Sequence, residues 1–421
     1  MAEDRIFATY RIETPLDPHK AAAVLAGEQS SGTFVAVPGE TDELRHRFGA
    51  RVEKVTVLES VNDPSLPGCR SKTAPNGPYH RADLVVSWSV ENMGFNLPTL
   101  VSTIQGNLYE LSQFSGLKLM DLAVPDSFAT VFKGPRFGVV GTRRLMGVQD
   151  RPLIGTIVKP SIGLTPDQTA GLAKTLAEAG IDFMKDDELM ANPPHSPFVE
   201  RAEAVMRVLN AHADRTGKMV MYAFNVSGEI DEMLRHYDLV QKLGGTGAMV
   251  SLNSVGLSAV MKLCDQGELS IHGHRNGWGA LNRHPYLGVE FPAYQTIWRL
   301  AGVDQLHVNG IANKFWETDD SVVRSIQACQ RPLLGGMYAL PVVSSGQWGG
   351  QAPETWRRTK TRDLLYMAGG GIMAHPGGPS AGVAALRQAW EAAVSEIPLD
   401  EYAQRHVELR QSIEKFGKSG G

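Results

Sequence analysis

From Gly134 onward the chain alternates short apolar runs with longer stretches in which apolar positions recur every three to four residues. Eight short runs stand out: Gly155–Lys159, Asp182–Lys185, Met219–Asn225, Ala248–Asn253, Leu269–His274, Gln305–Asn309, Ala339–Ser344 and Leu365–Ala368. An apolar run without polar alternation predicts a strand covered on both faces, and the longer stretches, such as Asp167–Ala179 and Phe198–Ala213, predict the covering helices. Eight such units in about 260 residues fit a (β/α)8 TIM barrel better than a doubly wound sheet. The preceding residues follow another pattern, with strand-like IFATYRI, VEKVTVL and DLVVSWSV, a helix over Pro18–Gly27, and a loop marked by Pro64, Pro67, Gly68, Pro75 and Pro78. The predicted organisation is an N-terminal α+β domain over 1–133, the barrel over 134–410, and a tail over 411–421 that frays beyond about Glu408.

Composition narrows the partners without altering this outline. The 421 residues carry a formal net charge of -4, with 43% hydrophobic and 20% charged residues, so there is no basic field for nucleic acid and no basic amphipathic segment for a membrane surface. Small-molecule partners are expected. Cys69, Cys264 and Cys329 are far apart and lack metal-ligand spacing, which points to a reducing cytoplasmic setting and away from a disulfide framework or a zinc site. No apolar run approaches the roughly 18 residues of a membrane span, and the N-terminus has no signal-peptide pattern.

Candidate chemistry gathers where barrel enzymes keep it, at the C-terminal ends of strands. The segment GIDFMKDDE places Lys185, Asp186, Asp187 and Glu188 at the end of the second strand. Alternation along the strand sets Lys185 and Asp187 on one side and Asp186 on the other, with Glu188 entering the loop. On these residues alone the cluster is either a salt-bridge knot or a site for a hard divalent cation. Lys159 follows the first strand, His272, His274 and Arg275 the fifth, His307 the sixth, and Lys314 lies in the loop beyond. The seventh and eighth strands end in Ser344-Ser345-Gly346 and Gly369-Gly370-Gly371, where missing side chains let backbone N–H groups approach an anion. In the N-terminal domain, Glu28-Gln29-Ser30-Ser31-Gly32-Thr33 reads locally as a helix cap and turn, and Asn107 as a turn or cap residue before a helical stretch.

In this order and spacing, GTIVKPSIGL, GIDFMKDDE, IHGHR, LHVNGIANKF, LPVVSSG and MAGGGIMAHPGG resemble the large subunit of ribulose-bisphosphate carboxylase (RuBisCO). The segments GEQSSGTF, QGN before Leu108, and VPDSFATVFKGP extend the likeness over nearly the whole chain. The resemblance implies a ferredoxin-like N-terminal domain ahead of the barrel. It implies that Lys185 takes up CO2 as a carbamate and, with Asp187 and Glu188, binds one Mg2+. It further implies that Lys159 is an acid/base group, His274 a second base and Lys314 the lysine of a mobile loop. Arg275, His307 and Ser344 match one phosphate site; Gly346, Gly369, Gly370 and the backbone near Thr33 match the other. Glu28, Thr33 and Asn107 would enter from a neighbouring subunit, so the resemblance implies a homodimer with shared active sites and leaves room for a higher oligomer.

Departures from the carboxylases point to a RuBisCO-like protein (form IV). KPSIGL stands where they have KPKLGL, so Ser161 replaces a lysine that acts on the carboxylation intermediate. Phe34 stands for a tryptophan, Trp278 for a histidine, and the loop around Lys314 is different. These changes predict retained Mg2+-dependent enediolate chemistry on a phosphorylated keto-sugar or β-keto acid sugar without CO2 fixation. Decarboxylation or transcarboxylation/hydrolysis of the oxo-isoapionate-phosphate type is the leading expectation. The alternative is an enolase or isomerase of methionine salvage acting on a methylthio-pentulose phosphate, against which Asn107 counts because that branch has a lysine there. A residual carboxylase and a non-catalytic barrel are the remaining alternatives.

Overall fold

The computed structural model describes residues 4–32, 37–72 and 74–417. These form two units: Met1–Lys133 with Gly277–Leu300 and Leu333–Gly336, and Gly134–Asn276 with Ala301–Pro332 and Met337–Gly421.

In the first unit, strands β1 (Arg5–Thr14), β2 (Arg51–Val61), β3 (Tyr79–Ser89) and β4 (Gly116–Ala123) form an antiparallel sheet in the order β4-β1-β3-β2. With helices Pro18–Glu28 and Leu97–Ile104 in the two crossovers, this is the ferredoxin-like connection. Strand β1 alternates as its sequence demands, burying Ile6, Ala8, Tyr10 and Ile12 while Phe7 stays partly exposed. Asp17 starts the first helix by accepting from the N–H groups of His19 and Lys20. Strand β4 is absent from the sequence reading because Lys118 interrupts it. The Lys118 ammonium is buried, donating to the carbonyls of Asn282 and His284 at 2.8 and 2.9 Å and pairing with Glu290 at 2.9 Å. A short parallel strand later in the chain, Leu287–Val289 (β10), adds to the outer edge of β4.

The second unit is a closed parallel barrel of β5 (Leu153–Ile157), β6 (Phe183–Lys185), β7 (Met221–Asn225), β8 (Gly247–Ser251), β9 (Ser270–His274), β11 (Gln305–Asn309), β12 (Leu340–Ser344) and β13 (Leu365–Met367). All eight expected strands are present, with ends shifted by at most two residues. Leu153, Phe183, Met221, Met249, Leu340, Val342, Leu365 and Met367 fill the interior, so the barrel is packed rather than hollow. A fully buried Asp304 pins the base of β11 by accepting from the N–H groups of Phe137, Gly138 and Ile271 at 2.6, 2.9 and 2.8 Å. The segment expected to fray after Glu408 is instead the helix Val407–Phe416, ordered because Leu409 is fully buried and its N–H donates to Gln388. Among the described residues, no helix is long and apolar enough to cross a membrane.

Candidate active site

Strand β6 delivers Lys185 into the mouth of the barrel, where its side chain is 1% exposed and its Nζ donates to the carbonyl of Asp186 at 2.9 Å and touches Met249 Sδ at 3.2 Å. Glu188 Oε2 stands 4.0 Å away. Burial pushes the Lys185 ammonium down to about 8, against the pull of Glu188, Asp187 and Asp186, so a substantial fraction is neutral amine near pH 8. Lys159 Nζ, beyond β5, donates to Asp187 Oδ2 at 2.6 Å and to Ser161 Oγ at 2.7 Å. Burial alone would raise the Asp187 carboxyl, but the hydrogen bond and charge of Lys159 outweigh it and hold the group below its ordinary value. His274 Nε2, at the end of β9, lies 3.7 Å from Glu188 Oε2. Burial, then the charge of Lys185, pushes this imidazole down to about 3, so it is a neutral ring at physiological pH.

Asp186 turns away from this group, consistent with strand alternation. Its carboxylate accepts from Tyr222 Oη at 2.6 Å, the Asn225 N–H at 3.0 Å and Arg201 Nη2 at 3.3 Å. Arg201 also donates to the carbonyls of Met190, Ala191 and Ser196, and Asn225 Nδ2 donates to the carbonyls of Asp187 at 3.2 Å and Glu188 at 3.1 Å. Buried donors thus fix the backbone that carries Asp187 and Glu188. The sequence reading missed Arg201 and Tyr222. An available signal was Arg201 within the apolar stripe of its helix, beside Phe198, Ala202 and Val205.

Around the rim, His307 Nε2 and Ser344 Oγ are 2.7 Å apart, and the His274 and His307 rings lie 4.7 Å centroid to centroid. Arg275 is paired with Glu317 at 2.8 Å. Lys314 is exposed, with its N–H donating to the Ser345 carbonyl at 3.2 Å. Gly346 has φ +82° and packs so closely on the Lys314 stem that a Cβ there would fall 3.3 Å from Lys314 Cβ. A Cβ at Gly369 would stand 3.5 Å from Lys159 Cε, whereas Gly370 faces open space. The second unit therefore gathers Lys159, Lys185, Asp187, Glu188 and His274 in one cluster, with Arg275, His307, Lys314, Ser344, Gly346, Gly369 and Gly370 on the same ends of its strands.

The remaining expected residues belong to the first unit or to undescribed positions. Glu28 is the exposed last residue of its helix, and Asn107 is exposed in the single 3-10 turn Gly106–Glu110, in place of the longer helical stretch expected there. Their chain neighbours meet, Gln29 packing directly on Gly106, where a Cβ would come within 2.3 Å of Gln29 Nε2. Trp278, 8% exposed, packs against Phe291 and Tyr294. Thr33 and Phe34 lie outside the described residues.

Among the described residues, no three His, Cys, Asp or Glu side chains are grouped closely enough to hold a metal. Asp187 and Glu188 supply two carboxylates, and CO2 taken up by Lys185 as a carbamate would add a third anionic group. Its buried, readily neutralised amine beside Glu188 suits that chemistry, and with it the donor set fits a hard oxygen-seeking cation.

Residues 138–416 match the family model of the ribulose bisphosphate carboxylase large chain, catalytic domain, and residues 1–128 match that of its N-terminal domain. The chain is 52% identical over 412 residues to the 3-oxo-isoapionate-4-phosphate transcarboxylase/hydrolase of Xanthobacter autotrophicus, covering 97% of this chain and 99% of that protein. It is 47% identical over 419 residues to the 3-oxo-isoapionate-4-phosphate decarboxylase of Rhizobium etli, covering 99% and 100%. The crystal structure of a rubisco-like protein from Burkholderia fungorum superposes with a TM-score of 0.91 at 45% identity, over 98% of this chain and 100% of that one.

Proposed function

The chain belongs to the ribulose bisphosphate carboxylase large-chain family as one of its RuBisCO-like members, and from that premise we propose that it is a Mg2+-dependent enzyme that cleaves 3-oxo-isoapionate 4-phosphate. The convergence of Lys185, Asp187, Glu188, Lys159 and His274 carries the reaction class. The substrate follows the two full-length relatives, whose names share it.

Lys185 as a carbamate, Asp187 and Glu188 would hold Mg2+, which when bound supplies positive charge to stabilise an enediolate as it forms. Loss of a carboxyl group from a β-keto acid leaves the same enediolate that proton abstraction would give. Lys159, held by Asp187 and Ser161, is placed to deliver or remove a proton, while His274, kept neutral by burial, is placed beside Glu188 to exchange a hydrogen bond with the substrate. Arg275 and the His307–Ser344 pair take one phosphate, while Gly369 and Gly370 leave the backbone open beside Lys159. Ser161 presents a hydroxyl where the carboxylases carry a second cation, which removes the group they use on a newly attached carboxylate. Glu28 and Asn107, exposed on either side of the Gln29–Gly106 contact in the first unit, are suited to complete the site of a second copy in a homodimer.

The test is turnover of 3-oxo-isoapionate 4-phosphate after preincubation with bicarbonate and Mg2+, following free CO2 and total product acids. Cleavage that requires Mg2+, with no labelled CO2 fixed onto ribulose bisphosphate, is expected. Evolution of CO2 would identify a decarboxylase, and its absence during cleavage a transcarboxylase/hydrolase. Ribulose-bisphosphate carboxylation, or turnover of a methylthio-pentulose phosphate alone, would overturn the assignment.

A further inference from the structure

Glu317 sits where three elements meet. Its Oε2 accepts from Arg275 Nη2 at 2.8 Å, just beyond β9, and from Asn309 Nδ2 at 2.7 Å, the last residue of β11. Its Oε1 accepts from Ser321 Oγ at 2.8 Å and Ser325 Oγ at 3.4 Å, both on the helix Asp319–Gln330. Asn309 Oδ1 in turn accepts from Ser345 Oγ at 2.6 Å, beyond β12. The Arg275 and Glu317 side chains are only 3% and 6% exposed. A carboxylate held by four donors in so dry a place cannot swing aside without leaving buried groups unpaired, so one edge of the guanidinium is locked.

The same residue closes the Lys314 loop. At the near end, Gln347 Nε2 donates to the Ile311 carbonyl at 3.1 Å and the Lys314 N–H to the Ser345 carbonyl at 3.2 Å; at the far end, Asn313 Nδ2 donates to the Glu317 carbonyl at 3.0 Å. Between these ties, Phe315 and Trp316 are 58% and 72% exposed.

We propose that Glu317 is a positioning residue for the substrate phosphate: it orients the Arg275 guanidinium and, through Asn309 and Ser345, holds the phosphate end of the site at a fixed distance from the Lys314 loop. This rests on the reading of Arg275 as a phosphate contact. A carboxylate beside an arginine could instead compete with an incoming anion, and the two effects have opposite signs: orientation strengthens phosphate binding, competition weakens it.

The experiment compares Glu317→Gln, Arg275→Ala and the double variant by titration with inorganic phosphate and by steady-state kinetics, with thermal unfolding as the folding control. Glu317→Gln is expected to weaken phosphate binding and raise KM roughly tenfold with a smaller change in kcat, as loss of an orienting outer partner does. The double variant should bind phosphate no more weakly than Arg275→Ala alone, since Glu317 acts through that arginine. Tighter or unchanged phosphate binding in Glu317→Gln, or a loss that adds in full to that of Arg275→Ala, would overturn the proposal. Unaltered phosphate binding in Arg275→Ala would remove the phosphate reading itself, a separate failure. Should Glu317→Gln not fold, Ser321→Ala deletes one donor without a charge change and is expected to raise KM about threefold, by loosening the carboxylate; an unchanged KM would overturn the proposal.

Discussion

Replacing Asp186 with alanine removes the one carboxylate shared by Arg201, Tyr222 and the Asn225 amide. Arg201 is 0% exposed and would keep its bonds to the carbonyls of Met190, Ala191 and Ser196, at 2.8, 2.7 and 2.6 Å, but would lose its counter-charge. Breaking a buried ion pair in this way costs about 3–5 kcal/mol. The orphaned Tyr222 hydroxyl and Asn225 N–H would each add about 1–3 kcal/mol if nothing relaxed, though such terms overlap. A net loss of about 4 kcal/mol is therefore expected for Asp186→Ala. Asp186→Asn, which keeps an acceptor for Tyr222, should lose about 2 kcal/mol, and Tyr222→Phe about 1 kcal/mol. Urea unfolding followed by circular dichroism reads these differences, fitted as two transitions because the chain has two units. Asp186→Ala within 1 kcal/mol of the parent would refute the reasoning, since it would mean that the Arg201 charge is compensated without Asp186.

Lys185→Ala should abolish Mg2+-dependent turnover while leaving the barrel folded, checked by activity and circular dichroism. Labelled CO2 trapped on Lys185 should rise with pH through about 8, because the amine reacts only when neutral and burial brings its ammonium down to that range; trapping that is flat from pH 6.5 to 9.5 would contradict the assigned environment. Leu409→Ala should destabilise the second unit by about 2–5 kcal/mol, the usual cost of emptying a fully buried leucine site, as read in the same urea series.

Why some of this was legible in the sequence and some was not follows from the kind of contact involved. Each barrel strand is covered on both faces, so its apolar run is continuous and its position is readable from composition alone. Lys159, Lys185, Asp187, Glu188, His274 and His307 were legible because the barrel places strand ends at one mouth, whatever else the chain does. Strand β4 was hidden because Lys118 reads as a solvent residue while its ammonium is buried against the carbonyls of Asn282 and His284, and β10 is only three residues long. Arg201 and Glu317 were hidden for another reason. Arg201 meets Asp186 across 15 residues and Glu317 meets Arg275 across 42, so no local spacing announces either pair. The family likeness named the candidate groups at the strand ends; the groups that hold them in place became visible only through their hydrogen bonds.

Lys118 also bears on the order in which the chain matures. Among the described residues, every partner of its ammonium lies between Asn282 and Glu290, about 165–170 residues downstream, and β10 comes from the same stretch. A nascent chain that has produced only its first 133 residues therefore has four strands of the sheet but neither the edge strand nor the acceptors for a buried charge. During synthesis the first unit therefore waits until five of the eight barrel strands, β5 to β9, have been made before it can close, although its four long strands come first in sequence.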